Sequence, residues 1–255
     1  MLFQWTDEKL DWYVRASRAS GFHARLADYI RPYLDGRDAV CDFGCGPGLL
    51  GLALAPDVRE VTAVDISPEA IGFLARELRE EGPGNLRAVC ADAGEAAASL
   101  PAYDVALLCF FGGPGSLLKT IYDRAGRLTV CMMHGAETPG KPSKLSGFVH
   151  RKHAEEMAAF LEGEDIPFQK ETLCLDFSQP LRSEGEARSF FEAYATAGDR
   201  TMTPAELESR LAQQLAWLEK AEDPEYPYLF PSTKEVAIFI IQNDVLSPSL
   251  TRQSG

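Results

Sequence analysis

The sequence predicts an α/β fold, a mostly parallel seven-stranded sheet covered by helices on both faces, with an antiparallel strand near the C-terminus. Two observations carry this expectation. Short apolar runs alternate with stretches of helical periodicity from residue 38 to 134, the rhythm of strands joined by crossover helices. Two further strand-like runs, around Phe168–Phe177 and at EVAIFIIQND, follow a break in that rhythm.

Taken in order, residues 7–34 place Leu10, Tyr13, Val14, Phe22, Leu26, Tyr29 and Ile30 at helical spacing. They read as two helices broken near Ser20–Gly21, the second ending around Pro32–Gly36. The strand AVCDFG precedes a helix in PGLLGLALA. The strand VTAVDI runs into Ser67-Pro68, a helix start with serine as cap and proline in the first turn. The helix IGFLARELREE stops at Gly82-Pro83-Gly84. Then come the strand LRAVCAD, a short helix AGEAAASL, the strand YDVALLCFF, the helix SLLKTIYDRAG and the strand RLTVCMMH. ETPGKPSKLSG reads as a loop, and 148–161 as a helix. The segment 183–222 reads as two helices, the second capped by Thr203-Pro204, and EYPYLFP as an aromatic loop. The expected organisation is one domain over 1–255: N-terminal helices in 1–36, a ligand-binding core in 37–134, and a helical cap in 178–233 ahead of the last strand.

Bulk properties remove several function classes. The formal charge is −13, which repels phosphate backbones and argues against nucleic acid as partner. Lys141, Lys144, Arg151 and Lys152 are the nearest approach to a basic cluster, and a solvated face explains them. No apolar run reaches the roughly 20 residues that span a bilayer, so no membrane association is expected. The amphipathic, acidic start MLFQWTDEKLDWYVR is unlike a secretory leader, so a cytoplasmic protein is expected. Cys41, Cys45, Cys90, Cys109, Cys131 and Cys174 lack zinc-site or CxxC spacing, and read as reduced thiols.

Chemistry concentrates at the carboxyl ends of the predicted strands. Asp42-Phe43-Gly44-Cys45-Gly46-Pro47-Gly48 closes the first strand and opens a helix. Glycines there let the backbone turn sharply and bring peptide N–H groups against a ligand at a positive helix end. Asp65, followed by Ile66, closes the second strand, where a carboxylate can accept both hydroxyls of a ribose. Asp92, followed by Ala93, closes the third and suits an adenine amino group. Cys109-Phe110-Phe111-Gly112-Gly113 closes the fourth.

In this order, VCDFGCGPG, VTAVDIS, RAVCADA and YDVALLCFF resemble the motifs of class I, Rossmann-like methyltransferases. The resemblance covers about residues 38–132. It implies S-adenosylmethionine as cofactor: Gly44, Gly46 and Gly48, flanked by Asp42 and Cys45, toward its methionine part, Asp65 on ribose, and Asp92 near adenine. Ile66, Ala93 and Phe110 complete the expected cofactor set. Gly46-Pro47-Gly48-Leu49-Leu50-Gly51 also fits the GxGxxG dinucleotide fingerprint. Asp42 ahead of the glycines, two helices ahead of the first strand and the terminal strand pair favour the methyltransferase over a nicotinamide oxidoreductase. A non-catalytic cofactor-binding regulator is the third reading.

On the acceptor side, the expectation is a small molecule. His134, after the fifth strand, is the candidate base, and Tyr13, Phe111 and Tyr226 are candidate acceptor contacts. Trp5, Trp12 and Tyr13 of the N-terminal helices are placed to close over the cofactor, with helix–helix core packing an equal reading for Trp12 and Tyr13. Trp217, among Leu211, Leu215 and Leu218, reads as core packing. The fourth strand ends CFFGG, unlike the Asn/Asp-Pro-Pro-Tyr/Phe pattern that resembles amino-methylation of bases and glutamine. The methylated atom and the oligomeric state stay open.

Overall fold

The computed structural model describes residues 4–80, 82–135, 153–195 and 202–243. The chain begins with helices α1 (Asp7–Ser20) and α2 (Phe22–Ile30), hinged at Gly21. Thr6 caps α1 by accepting the Lys9 N–H through its side chain. Then come β1 (Ala39–Phe43), α3 (Leu49–Leu54), β2 (Glu60–Asp65), α4 (Pro68–Glu80), β3 (Leu86–Cys90), α5 (Ala93–Ser99) and β4 (Tyr103–Cys109). The second half holds α6 (Ser116–Arg124), β5 (Ala125–His134), α7 (His153–Gly163), β6 (Gln169–Asp176), β7 (Gln179–Leu181), α8 (Glu184–Ala195), α9 (Pro204–Leu215), β8 (Glu219–Lys220), β9 (Tyr228–Phe230) and β10 (Thr233–Gln242).

Seven strands form the main sheet in the order β3-β2-β1-β4-β5-β10-β6. Neighbours among the first five run parallel, with Val40 opposite Val61 and Val105. β10 runs antiparallel to both β5 and β6, with Ile238 opposite Met132 and Glu171. β1 lies between β2 and β4, so the chain leaves it in both directions. That reversal opens a crevice beyond Phe43 and Cys109, where ligands of open α/β sheets bind.

The period of two along each strand divides the core. Val40, Val61, Val105, Leu107, Val130, Val236 and Ile238 face α1–α3, where Phe22, Leu26, Ile30, Leu50 and Leu54 cover them. Cys41, Phe43, Val64, Leu108, Cys131, Ala237 and Phe239 face the other way, under Ala97, Leu118, Ile121, Met157 and Leu161. Of the cysteines, Cys41 and Cys131 are buried among these residues, whereas Cys90 and Cys174 are exposed.

The cap departs from the sequence expectation. Alongside its two helices it holds a three-stranded antiparallel sheet, β7-β9-β8. The stretch read as an aromatic loop supplies the central strand, with Tyr228 opposite both Leu181 and Lys220. The second cap helix ends at Leu215, short of the expected 222. There Trp217 N–H bonds to Gln214 O and Leu218 N–H to Leu215 O, tightening the chain into a turn that feeds β8. Trp217 rides on that turn and is 49% exposed, which corrects its reading as core. The expected cap at Thr203 is present as a capping box: Glu206 N–H donates to the Thr203 hydroxyl, and Thr203 N–H to the Glu206 carboxylate.

A third cluster joins this cap to the N-terminus. Trp12 of α1 packs with Leu181, Phe190, Phe191, Tyr194, Leu211 and Phe230. Its indole N–H donates to Glu186, 174 positions away, at 3.2 Å. Arg15 donates to the same Glu186 oxygen at 3.0 Å and to Pro180 O at 3.1 Å. No helix among the described residues is long and apolar enough to cross a membrane. The expected loop at 137–147, with Lys141 and Lys144, lies outside the described residues, as do Arg151 and Lys152.

Candidate functional site

The loop from Asp42 to Gly48 turns β1 into α3 and is fastened to β2. Cys45 N–H donates to Val64 O and Gly48 N–H to Cys45 O, each at 3.0 Å. Gly44 and Gly48 have φ of 68° and 73°, in the left-handed region that glycine enters without a Cβ penalty. Space reinforces the demand. A Cβ on Gly44 would stand 2.0 Å from the Phe111 ring, and one on Gly48 2.5 Å from Leu74. The Trp5 ring lies over Gly46, 3.0 Å from where a Cβ would sit. Two aromatic side chains thus roof a bare backbone.

Both oxygens of Asp65 hold backbone: one accepts Gly46 N–H at 2.8 Å, the other Ser67 N–H at 2.9 Å. A carboxylate oxygen has a second lone pair, so each can still accept a hydroxyl. Ala91 N–H donates to Asp65 O, which brings the end of β3 alongside. Ile66, beside Asp65, is 49% exposed, an apolar platform at the crevice mouth. Asp92 is exposed and caps α5, one oxygen accepting Gly94 N–H at 2.8 Å and Glu95 N–H at 3.1 Å. The capping role was not read from the sequence; Ala93 lies buried just beyond it.

Asp42 is 1% exposed, and its Oδ1 has no hydrogen-bond partner among the described residues. Burial, and then the negative charge of Asp65, push its carboxyl up to about 7. A buried oxygen without a donor is costly, and it marks a place where a ligand's donor fits.

Phe110 has φ of 53°, a strained conformation for a bulky residue, and its N–H donates to Met132 O at 2.8 Å. The strain turns its ring onto His134, 4.6 Å between centroids, and onto Phe22, 6.0 Å away. Tyr13 sits against Trp5 at 5.2 Å and Phe177 at 5.4 Å. Its hydroxyl meets His23 Nε2 at 3.2 Å, while His23 Nδ1 meets the Ser17 hydroxyl at 2.6 Å. Burial raises the Tyr13 phenol well above its usual range, with the charges of Cys109, Tyr194 and Asp42 adding to it. His23 is held neutral, pulled down to about 3 by burial and then by the charge of Lys234.

The structure therefore gathers Asp42, Gly44, Cys45, Gly46, Gly48, Asp65, Ile66, Asp92, Ala93, Phe110 and Phe111 at one edge of the sheet, with Tyr13 and His134 beside them. Tyr226 stands apart. It packs on Arg15 at 4.7 Å and Arg182 at 5.4 Å, and lines a groove of about 750 Å³ between α1 and α4, with Leu10, Val14, Phe73 and Arg76. Lys234 was missed. Nothing in STKEVAIFIIQ separates it from a solvated lysine, although an antiparallel last strand must begin at the edge where the parallel strands end.

A family model described as a methyltransferase domain matches residues 40–131. The "Probable cobalt-precorrin-6B C(15)-methyltransferase (decarboxylating)" of Methanothermobacter thermautotrophicus is 40% identical over 85 residues. That match covers 33% of this chain and 43% of that protein, less than half the length of the curated relative. A crystal structure from Bacillus halodurans superposes with a TM-score of 0.55 at 15% identity, covering 88% of this chain and 99% of that one. The precorrin-6y C5,15-methyltransferase of Geobacter metallireducens gives 0.53 at 13% identity, covering 87% of each chain. At such identities the two structures establish the fold alone. The stretch that matches the methyltransferase domain, residues 40–131, is the one that carries the glycine loop and the strand-end acids.

Proposed function

We propose that this protein transfers a methyl group from S-adenosylmethionine to a small-molecule acceptor. The observation that carries the reading is the pairing of a glycine loop with Asp65, whose two oxygens each fix one backbone N–H and retain a second lone pair. In this reading Gly44–Gly48 hold the methionine part of the cofactor and Asp65 the ribose hydroxyls. Ile66 covers one adenine face, and the second Asp92 oxygen takes the adenine amino group. The unpartnered Asp42 oxygen suits the cofactor's ammonium. The bound cofactor supplies an activated methyl on a sulfonium, displaced in line by the acceptor. The chain's own work is alignment and exclusion of water, and Trp5, Tyr13 and Phe111 are placed for both. His134 is the base where the acceptor arrives protonated. The formal charge of −13 supports a small acceptor over a polyanion.

Calorimetric titration with S-adenosylhomocysteine, with NADH and NADPH in parallel, tests the reading: the first binds and the other two do not. Nicotinamide binding in place of the first would overturn it. Asp65→Ala is expected to weaken S-adenosylhomocysteine on the order of 10–100-fold, the worth of one or two charge-assisted hydrogen bonds. Unchanged affinity in the folded variant removes Asp65 from the ribose.

A further inference from the structure

The face of β10 that carries Val236, Ile238 and Ile240 into the core continues, two residues earlier, to Lys234 at the mouth of the crevice. Its ammonium is surrounded by rings. Nζ stands 3.8 Å from the centroid of Phe177, 5.1 Å from Phe110, 5.2 Å from Phe22 and 5.6 Å from Tyr13. Among the described residues no carboxylate lies within ion-pair distance of it, whereas Arg15, Arg31, Arg127 and Arg182 each have one or more. Ring faces offset part of the cost of desolvating a cation but supply no counter-charge. Consistent with that deficit, burial pulls the ammonium down to about 8.

Position ties this cation to the cofactor loop. Tyr13 is shared, one neighbour being Lys234 and the other Trp5, whose ring covers Gly46. Phe110 is shared too, between Lys234 and His134, and its backbone is left-handed. A strained residue that turns its ring toward a half-buried cation without a carboxylate partner is the pattern of a binding site rather than of packing.

Resting on the methyltransferase reading above, we propose that Lys234 anchors the methyl acceptor, and that the acceptor is an organic acid with an aromatic or otherwise flat body. Its carboxylate pairs with the Lys234 ammonium while its body lies against the rings of Phe110 and Tyr13. A charge-assisted pair in a ring-lined, half-buried setting supplies the missing counter-charge and fixes the acceptor's orientation.

The test uses matched pairs: benzoate with benzamide, and phenylacetate with phenylacetamide. Each is titrated calorimetrically into the free protein and into its S-adenosylhomocysteine complex. The acids are expected to bind at least ~10-fold more tightly than their amides, the range for a hydrogen bond to a charged group. The ratio falls to about one in Lys234→Gln and survives in Lys234→Arg. A lysine that merely lays its stem on the rings and sends its charge to water gives no such ratio. Equal binding of acid and amide, including undetectable binding of both, overturns the proposal, as does a ratio unchanged in Lys234→Gln. Failure of S-adenosylhomocysteine to bind while the acid preference persists overturns the methyltransferase reading instead, and leaves an acid-binding site at Lys234.

Discussion

Gly44→Ala is expected to abolish S-adenosylhomocysteine binding and to lower the stability of the fold by about 2–5 kcal/mol. Two costs add. At φ of 68° any side chain meets the following carbonyl, a penalty of about 1–2 kcal/mol. The new methyl would also lie 2.0 Å from the Phe111 ring, so the ring must leave its place against the second core cluster, at a cost of about 1–3 kcal/mol for overpacking. The displaced ring then occupies the face that the loop offers to a ligand. Gly72→Ala is the control. It lies within α4 with nothing within 4 Å of a new Cβ, and gains about 0.4–1 kcal/mol through a stiffer unfolded chain. Urea denaturation of both variants checks the pair, and wild-type stability for Gly44→Ala would remove the steric argument.

Asp42→Asn tests the buried carboxyl through its pH dependence. Asp42 is raised to about 7 in the fold against an ordinary 3.8, so the folded state holds a proton that the unfolded state has lost across that window. A group raised in this way contributes stability that is complete below about 4 and is lost as pH rises through about 7. The loss is about 1.4 kcal/mol per pH unit, or roughly 4 kcal/mol in all. His23 slopes the other way. Lowered to about 3, it stays neutral in the fold while the unfolded imidazole takes a proton below its usual 6.5, so stability falls with acid. The two slopes oppose each other between about 4 and 6.5, and the wild-type curve alone hides both. The difference between Asp42→Asn and wild type isolates the aspartate: nearly constant below pH 4, then moving in favour of the variant by up to roughly 4 kcal/mol by pH 8. A difference independent of pH means that Asp42 is not protonated in the fold.

Some of this was readable from local chemistry. The glycine loop announces itself because a strand-end acid beside it is tied to neighbouring backbone, as the bonds from Gly46 and Ser67 N–H to Asp65 demonstrate. The inner strands β1, β2, β4, β5 and β10 were readable because both their faces are largely buried, β1 along its whole length. The cap sheet was not. β7 and β9 are three residues each, and Gln179 finds Phe230 across half a hundred positions, a pairing no window of sequence contains. Trp217 went astray because leucines nearby in sequence imitate a helical stripe that the turn after Leu215 ends. Lys234 is invisible for a related reason. Its surroundings come from α1, α2, the end of β4 and the residue after β6, which only the tertiary fold assembles.

The indole of Trp12 has a consequence for exchanging parts between relatives. The helix at the start of the chain and the insertion late in it share one hydrophobic cluster and one carboxylate, Glu186. A chimera that receives a foreign insertion but keeps its own first helix presents Trp12 to a surface not shaped for it, and leaves Arg15 facing an altered partner. Exchanging the cap of this scaffold therefore means transplanting α1 together with β7, α8, α9 and β9, as two ends of one packed unit.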